Sequence, residues 1–358
     1  MKMKKIWTIL LTVAMVFSLC ACGNNQKKEQ ETDTGSASSK EASEDKIKIS
    51  IASPCADGNP MMDLVYYWQE QVDEILPGRV EWETYPNSTM GSEREIGEMV
   101  MDGTLSGALV GPSNITAFAP MQTVRLQDMP FLFKDGDELY AAGEEWMNEA
   151  INKECESYGL TTIFYEYIMG QEIENTKRPI YTPDDVKGLK IRVYDSPGPY
   201  NFLEACGGLP VAMAFSEVYT GVQQGAIDGL YTTTSNFVPQ KFTEVCKYHT
   251  KLTITNLGMT MLFNLDTLNS YPQDLQDAMK EAGKRTEKYC QEVVSPDTKT
   301  KTYDDIAAAG VEINEVTEEQ YQVFADQVSD YCYEKLREDV GSELWDKCIN
   351  WLEEYRSR

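Results

Sequence analysis

The chain has 358 residues, 42% of them hydrophobic, enough for two modest cores. Its formal net charge of -26 excludes a nucleic-acid backbone as natural partner, and any anionic ligand must be captured by local groups rather than by long-range attraction. One histidine, His249, rules out a histidine-based metal cluster, and the nine cysteines include no C-x-x-C pair, so neither a zinc site nor a disulfide framework is expected.

Lys2, Lys4 and Lys5 precede an apolar run from Ile6 to Leu19 that ends in Leu19-Cys-Ala-Cys22-Gly23. A basic head, a short apolar core and a small-residue site describe a secretory signal over 1–21, too short to span a bilayer comfortably. Leu-x-Ala-Cys resembles the bacterial lipobox. Cys22 fits as the lipidated residue because Ala21 precedes it, whereas bulky Leu19 precedes Cys20. The competing reading is a hydrophobic anchor that stays uncleaved. Residues 22–45 are Gln, Lys, Glu, Ser and Thr with almost nothing apolar, which predicts a disordered tether. Acyl chains (palmitate among them) plus a tether would hold the body at the outer face of a cell membrane. The remaining cysteines are expected to be buried small apolar residues.

Lys46-Ile-Lys-Ile-Ser-Ile51 alternates as a half-buried strand does. Met61, Leu64, Val65, Trp68, Val72 and Ile75 fall at helical spacing, and Pro77-Gly78 stops that helix. Val80, Trp82 and Thr84 alternate as a second strand, so the opening is β-α-β. Glu95 to Gly107 then matches Glu217 to Gly229 without a gap, and Ser113-Asn114 falls in register with Ser235-Asn236. Each copy reads as helix, glycine stop, turn, glycine, strand and polar exit. Two copies suggest two similar lobes facing one cleft, with Gly111 to Asn114 and Thr232 to Asn236 on opposite walls. Plain helix capping by Ser113 and Asn236 is the bland alternative.

Thr182-Pro-Asp-Asp starts a helix, and Leu189 to Val193 is a short strand carrying Arg192. Ligands in such sheets sit beyond the strands' carboxyl ends, which makes Arg192 the candidate grip for an anion. Asp274 to about Ala309 predicts one long helix, interrupted only by Gly283 and Pro296. Val311 to Val316 reads as a strand, and Glu318 to Trp351 as terminal helices.

Gly188-Leu-Lys-Ile-Arg192-Val193, Met213-Ala-Phe215-Ser-Glu-Val-Tyr219 and Gln223-Gln-Gly-Ala-Ile-Asp228-Gly229 together resemble the solute-binding proteins of TRAP transporters, of the dicarboxylate-binding type. Asn87 to Gly91, Met129-Pro-Phe-Leu-Phe133, Lys177-Arg-Pro-Ile180 and Lys241-Phe-Thr-Glu244 extend the likeness over roughly Ile47 to Gly310. The resemblance implies an α/β, two-lobed periplasmic-binding-protein-like fold with a hinge, a long helix bridging both lobes and a ligand cleft between them. Lobe 1 would take 46–169 and return at about 257–295. Lobe 2 would take 170–256 with part of 296–330, leaving 331–358 as C-terminal helices. The resemblance also implies that Arg192 pairs with a ligand carboxylate, as a guanidinium fork suits, and that Phe215 packs on the ligand.

Three departures bear on the ligand. Thr232 stands where the family commonly has a ligand-binding asparagine, Gln171 and Glu172 where many members carry a second arginine, and Tyr194 where a proline is usual. A dicarboxylate would leave its second charge facing Glu172. The expected ligand is therefore a monocarboxylate with an aromatic, hydroxyl or amino group, met by walls from Tyr165, Tyr167, Tyr194 and Tyr231. Glu172 pointing away from the cleft is the alternative. C4-dicarboxylate or sugar-acid binding, and a sensor docking on a receptor kinase, stay open beside a monomeric protein serving a TRAP permease. An enzyme is not expected: no G-x-S-x-G elbow or phosphate-binding loop occurs, Asp135-Gly-Asp137 is too sparse for a calcium loop, and no cofactor or metal is called for. His249 reads as structural.

Overall fold

The computed structural model describes residues 46–358; the signal, the tether and Cys22 lie outside the described residues. Eleven strands form two sheets. They are β1 (Ile47–Ala52), β2 (Val80–Tyr85), β3 (Gly107–Val110), β4 (Leu160–Glu166), β5 (Gln171–Asn175), β6 (Lys190–Val193), β7 (Leu209–Ala212), β8 (Gly229–Thr233), β9 (Tyr248–Thr255), β10 (Met259–Asn264) and β11 (Glu312–Glu315). The first sheet runs β2-β1-β3-β10-β4 and the second β11-β9-β5-β8-β6-β7, one sheet to each lobe. The chain crosses between them at 167–170, at 256–258 and along a helix.

In lobe 1, Asn59 caps the helix Pro60–Ile75 by accepting from the Met61 amide, with Pro60 preset at the first turn. Trp68 on its apolar stripe is fully buried, and its indole donates to the Met279 carbonyl at 3.1 Å, so the predicted aromatic core position also pins two helices together.

That second helix is the long one. It runs Gln273–Tyr289, widens through a π turn at Cys290–Val294 and continues Ser295–Ala308. Its first part packs on the helix Pro60–Ile75 and β4, its last part on β11 and the turn at 234–236, so it bridges the lobes. Neither suspected breaker breaks it. At Gly283 an added Cβ would meet the Ile163 carbonyl of β4 at 2.5 Å, so the missing side chain lets the helix lie close. Pro296 lacks an amide hydrogen, and the wide turn directly before it absorbs the lost bond.

The internal repeat is structural. Helix Glu93–Met101, β3 and the 3-10 turn Pro112–Ala117 correspond to helix Val218–Gln223, β8 and the turn Thr234–Asn236. Gly103 and Gly225, after each helix, have φ of 79° and 73°, a region other residues enter at a cost. Gly229 is needed for a different reason: a Cβ there would lie 2.2 Å from the Glu174 carbonyl across the ladder. Gly229→Ala is expected to destabilise the chain by about 1–3 kcal/mol by forcing β5 and β8 apart. Urea denaturation measures it, and an unchanged midpoint would refute the close approach.

Helices Glu318–Val340 and Ser342–Ser357 close the chain. The first packs on helix Pro197–Ala205 of lobe 2. The second sends Arg356 to Glu138 at 2.7 Å and to the Leu132 carbonyl at 2.8 Å, in the segment preceding β4. All seven described cysteines are buried and unpaired. No helix of the described residues is long and apolar enough to cross a membrane.

Candidate ligand-binding cleft

β6 carries Arg192 to the inter-lobe cleft and buries it to 3% exposure. Its Nε donates to the Met213 carbonyl at 2.9 Å, which fixes the guanidinium plane. No carboxylate lies within ion-pairing distance of it among the described residues. Burial pushes its pKa down to about 10, against the opposing pull of Glu93, so it remains a cation at neutral pH. Phe215 sits 5.5 Å from the guanidinium carbon, its ring presented edge-on to Phe242 behind it.

Arg192 and Phe215 line a small cavity of about 40 Å³ and, beside it, a vestibule of about 300 Å³. Gln171, Tyr194, Thr232, Thr233 and Asn236 complete the lobe 2 side of the cavity. Lobe 1 contributes Cys55, Met61, Glu93, Gly111 and Asn114. Glu93, at the first position of its helix, accepts from the Gly111 amide at 2.9 Å and from Asn114 Nδ2 at 2.8 Å. Burial raises its carboxyl, and the Gly111 bond, the Arg192 charge and Asn114 pull it back. The cleft thus has a cation on one wall and a carboxylate on the other.

Asn59 and Asp128 of lobe 1 bond directly to the opposite wall. Asn59 Nδ2 donates to Asn236 Oδ1 at 2.7 Å, while Asn236 Nδ2 reaches Thr232 at 3.2 Å. Tyr194 donates its hydroxyl to Asp128 at 2.6 Å, and Ser196 bonds the other oxygen of that carboxylate. Burial pushes Asp128 up to about 6, although both hydroxyl bonds act to lower it. The Tyr194 hydroxyl is therefore committed, and its ring is what the cavity meets.

Five of the residues expected at the cleft do not line the cavity. Side chains alternate along a strand, so Gln171 faces the cleft and Glu172 turns to the opposite face, beneath the long helix. There Glu172 bonds His249 at 2.8 Å, Thr234 at 2.9 Å and Tyr303 at 3.0 Å. It is a buried structural acid, and a ligand's second charge does not meet it. Tyr231 alternates with Thr232 in the same way; its hydroxyl pairs with Thr255 at 2.6 Å and its ring packs near Phe202. Ser113 is fully buried in the turn after Pro112, on the Asp128 side. Tyr165 and Tyr167 also stay out of the cavity, stacked on each other with centroids 6.4 Å apart.

Glu93 and Asn59 are the residues that reading the sequence missed, whereas Asn114 ends the polar exit expected on this wall. The repeat held the signal for Glu93. The offset that aligns Glu95 with Glu217 also aligns Glu93 with Phe215 and Asn114 with Asn236, and all four line the cavity.

Comparisons with known proteins place the chain in a family. Residues 51–339 match the family described as bacterial extracellular solute-binding protein, family 7. The C4-dicarboxylate-binding periplasmic protein of Rhodobacter capsulatus is 27% identical over 278 residues, 77% of this chain and 82% of that protein. A TRAP periplasmic solute-binding protein from Sulfurospirillum deleyianum, solved with bound succinate, is 26% identical with a TM-score of 0.77, covering 84% of this chain and 98% of that one. The sugar acid binding protein of Advenella mimigardefordensis, solved with galactonate, shares the fold at a TM-score of 0.81 and 20% identity, covering 85% and 97%. These relatives are solute-binding proteins rather than enzymes. The match spans both sheets and the cleft between them, and the chain belongs to family 7 of the bacterial extracellular solute-binding proteins, the solute-binding proteins of TRAP transporters.

Proposed function

We propose that this chain captures a small organic acid outside the cytoplasm and delivers it to a TRAP-type permease. The observation that carries the reading is Arg192, a buried guanidinium without an acid partner among the described residues, at the wall of an inter-lobe cavity. A carboxylate entering the cleft would supply the missing counter-charge, in the bidentate geometry that guanidinium offers. Relatives solved with succinate and galactonate hold ligands that share this one group.

The preferred ligand is a monocarboxylate with an ammonium or hydroxyl group at its other end. Glu93, and not Glu172, supports this. A second carboxylate opposite Arg192 would meet the Glu93 oxygens, whereas an ammonium or hydroxyl would donate to them. Phe215 and the Tyr194 ring add flat apolar wall. The cavity alone is small, so the ligand's remainder would extend into the vestibule.

A thermal-shift competition tests the finer reading, because ligands that bind only the folded form raise its melting point. Amino- and hydroxy-monocarboxylates should outcompete succinate, and Glu93→Gln should narrow that gap by roughly tenfold as the repulsion is removed. Tight succinate binding by the unaltered protein would overturn it while leaving carboxylate capture intact.

Anchoring is the second part of the proposal. A diacylated Cys22 would give the chain two acyl chains, enough for stable membrane attachment. Cys22→Ser is expected to release the protein into the medium in a fractionation experiment. A variant that still pellets with membranes would point to a retained N-terminal helix.

A further inference from the structure

On the other side of the Asn59–Asn236 bridge lies a groove of about 650 Å³, larger than the vestibule of the cleft. Asn236 lines the ligand cavity, whereas the sequence neighbours Gly58, Pro60 and Ser235 line the groove, so the bridge partitions the two spaces. The groove's walls are the helix Pro60–Ile75, the turn after β8 and the long helix at its π turn.

The lining has a definite chemistry. Asp63 and Glu70 stand on one face of the first helix, two turns apart, with no salt bridge or side-chain hydrogen bond among the described residues. Partial burial and the nearby Asp57 both push the Asp63 carboxyl above its usual range, as negative charge that nothing offsets would be. Among the described residues of the lining the one cation is Lys301, which Asp297 holds at 2.6 Å. A flat apolar platform lies beside these acids: Tyr67 stacks on Tyr289 with centroids 4.2 Å apart and planes at 14°, next to Val293. Ser235 is only 3% exposed, its hydroxyl has no hydrogen-bond partner, and it too lines the groove. A desolvated hydroxyl left unpaired is costly, and an occupant with a polar group would satisfy it.

We propose that this groove is a second binding site, separate from the carboxylate cleft, for a small organic cation with a flat body. Its ammonium is drawn to the Asp63 and Glu70 side, and its body lies against the Tyr67–Tyr289 stack, where a cation also gains from the ring faces. Because the walls come from both lobes, an occupant opposes their separation.

Calorimetric titration of the full chain with tyramine tests this, with methylammonium as the control lacking a ring. Saturable one-site binding of tyramine is expected, unchanged in Arg192→Ala and weakened roughly tenfold or more in the double variant Asp63→Asn/Glu70→Gln. Both acids are exposed, so that variant keeps its fold. The Arg192→Ala arm leaves the groove intact, so the outcome is independent of whether the cleft binds carboxylates. The proposal is overturned by an absence of saturable binding, by loss of binding in Arg192→Ala, or by unchanged affinity in the double variant. Equal affinity for methylammonium also overturns it, since that marks diffuse attraction to an acidic chain.

Discussion

Arg192→Ala should lose all useful ligand binding while the protein stays folded. Truncating one side of a buried charge pair typically costs about 2–5 kcal/mol, which is roughly a thirty- to several-thousand-fold loss of affinity. The fold tolerates the change because the guanidinium holds no acid that its removal would strand. What is lost inside the protein is the bonds to the Met213 and Tyr231 carbonyls and the contact with Phe215. Arg192→Lys should also bind weakly, since a point charge on a flexible stem does not reproduce the fork. Calorimetry on both variants, against whichever acid the competition selects, reads the effect. Near-normal affinity in Arg192→Ala would remove this residue from the site.

Much of the architecture was legible because it is periodic. The stripe from Met61 to Ile75, the alternation in β1 and β2 and the long helix each follow from spacing alone. The repeat predicted two matching helix–turn–strand units, and the same glycines serve both. Spacing does not say which face of a strand meets the cleft, and a one-residue shift reverses every side chain. Gln171 and Glu172 differ in that way alone. As a departure from the family pattern, Glu172 read as ligand chemistry, yet its partners His249 and Tyr303 lie far along the chain, where no local pattern couples them to it. Asn59 was hidden for another reason. Its sequence role as a helix cap occupies the oxygen, and only the tertiary fold shows the amide nitrogen reaching Asn236.

His249→Ala is expected to destabilise the protein by about 3–5 kcal/mol, the usual result of removing one member of a buried ionic cluster. The imidazole is fully buried between two fully or almost fully buried acids, Nε2 at 2.8 Å from Glu172 and Nδ1 at 3.1 Å from Glu174. Burial alone would depress its pKa, but the bonds to and charges of Glu172 and Glu174 outweigh that and lift it to about 9. Burial first, against the His249 bond and charge, carries Glu174 up to about 7. Both shifts make the folded state hold protons that the unfolded chain has released. The histidine's contribution is fully present below about pH 6.5 and is lost as pH rises through about 9. Glu174 acts in the same direction between about pH 4.5 and 7. Stability of the unaltered protein should therefore fall as pH rises from about 6.5 to 9, the reverse of a chain held by ordinary depressed carboxylates. Urea denaturation at the two ends of that range measures the slope, and at neutral pH it measures the variant. A flat or rising profile, or a His249→Ala loss under about 1 kcal/mol, would mean that the imidazole sits neutral between the acids rather than as their counter-ion.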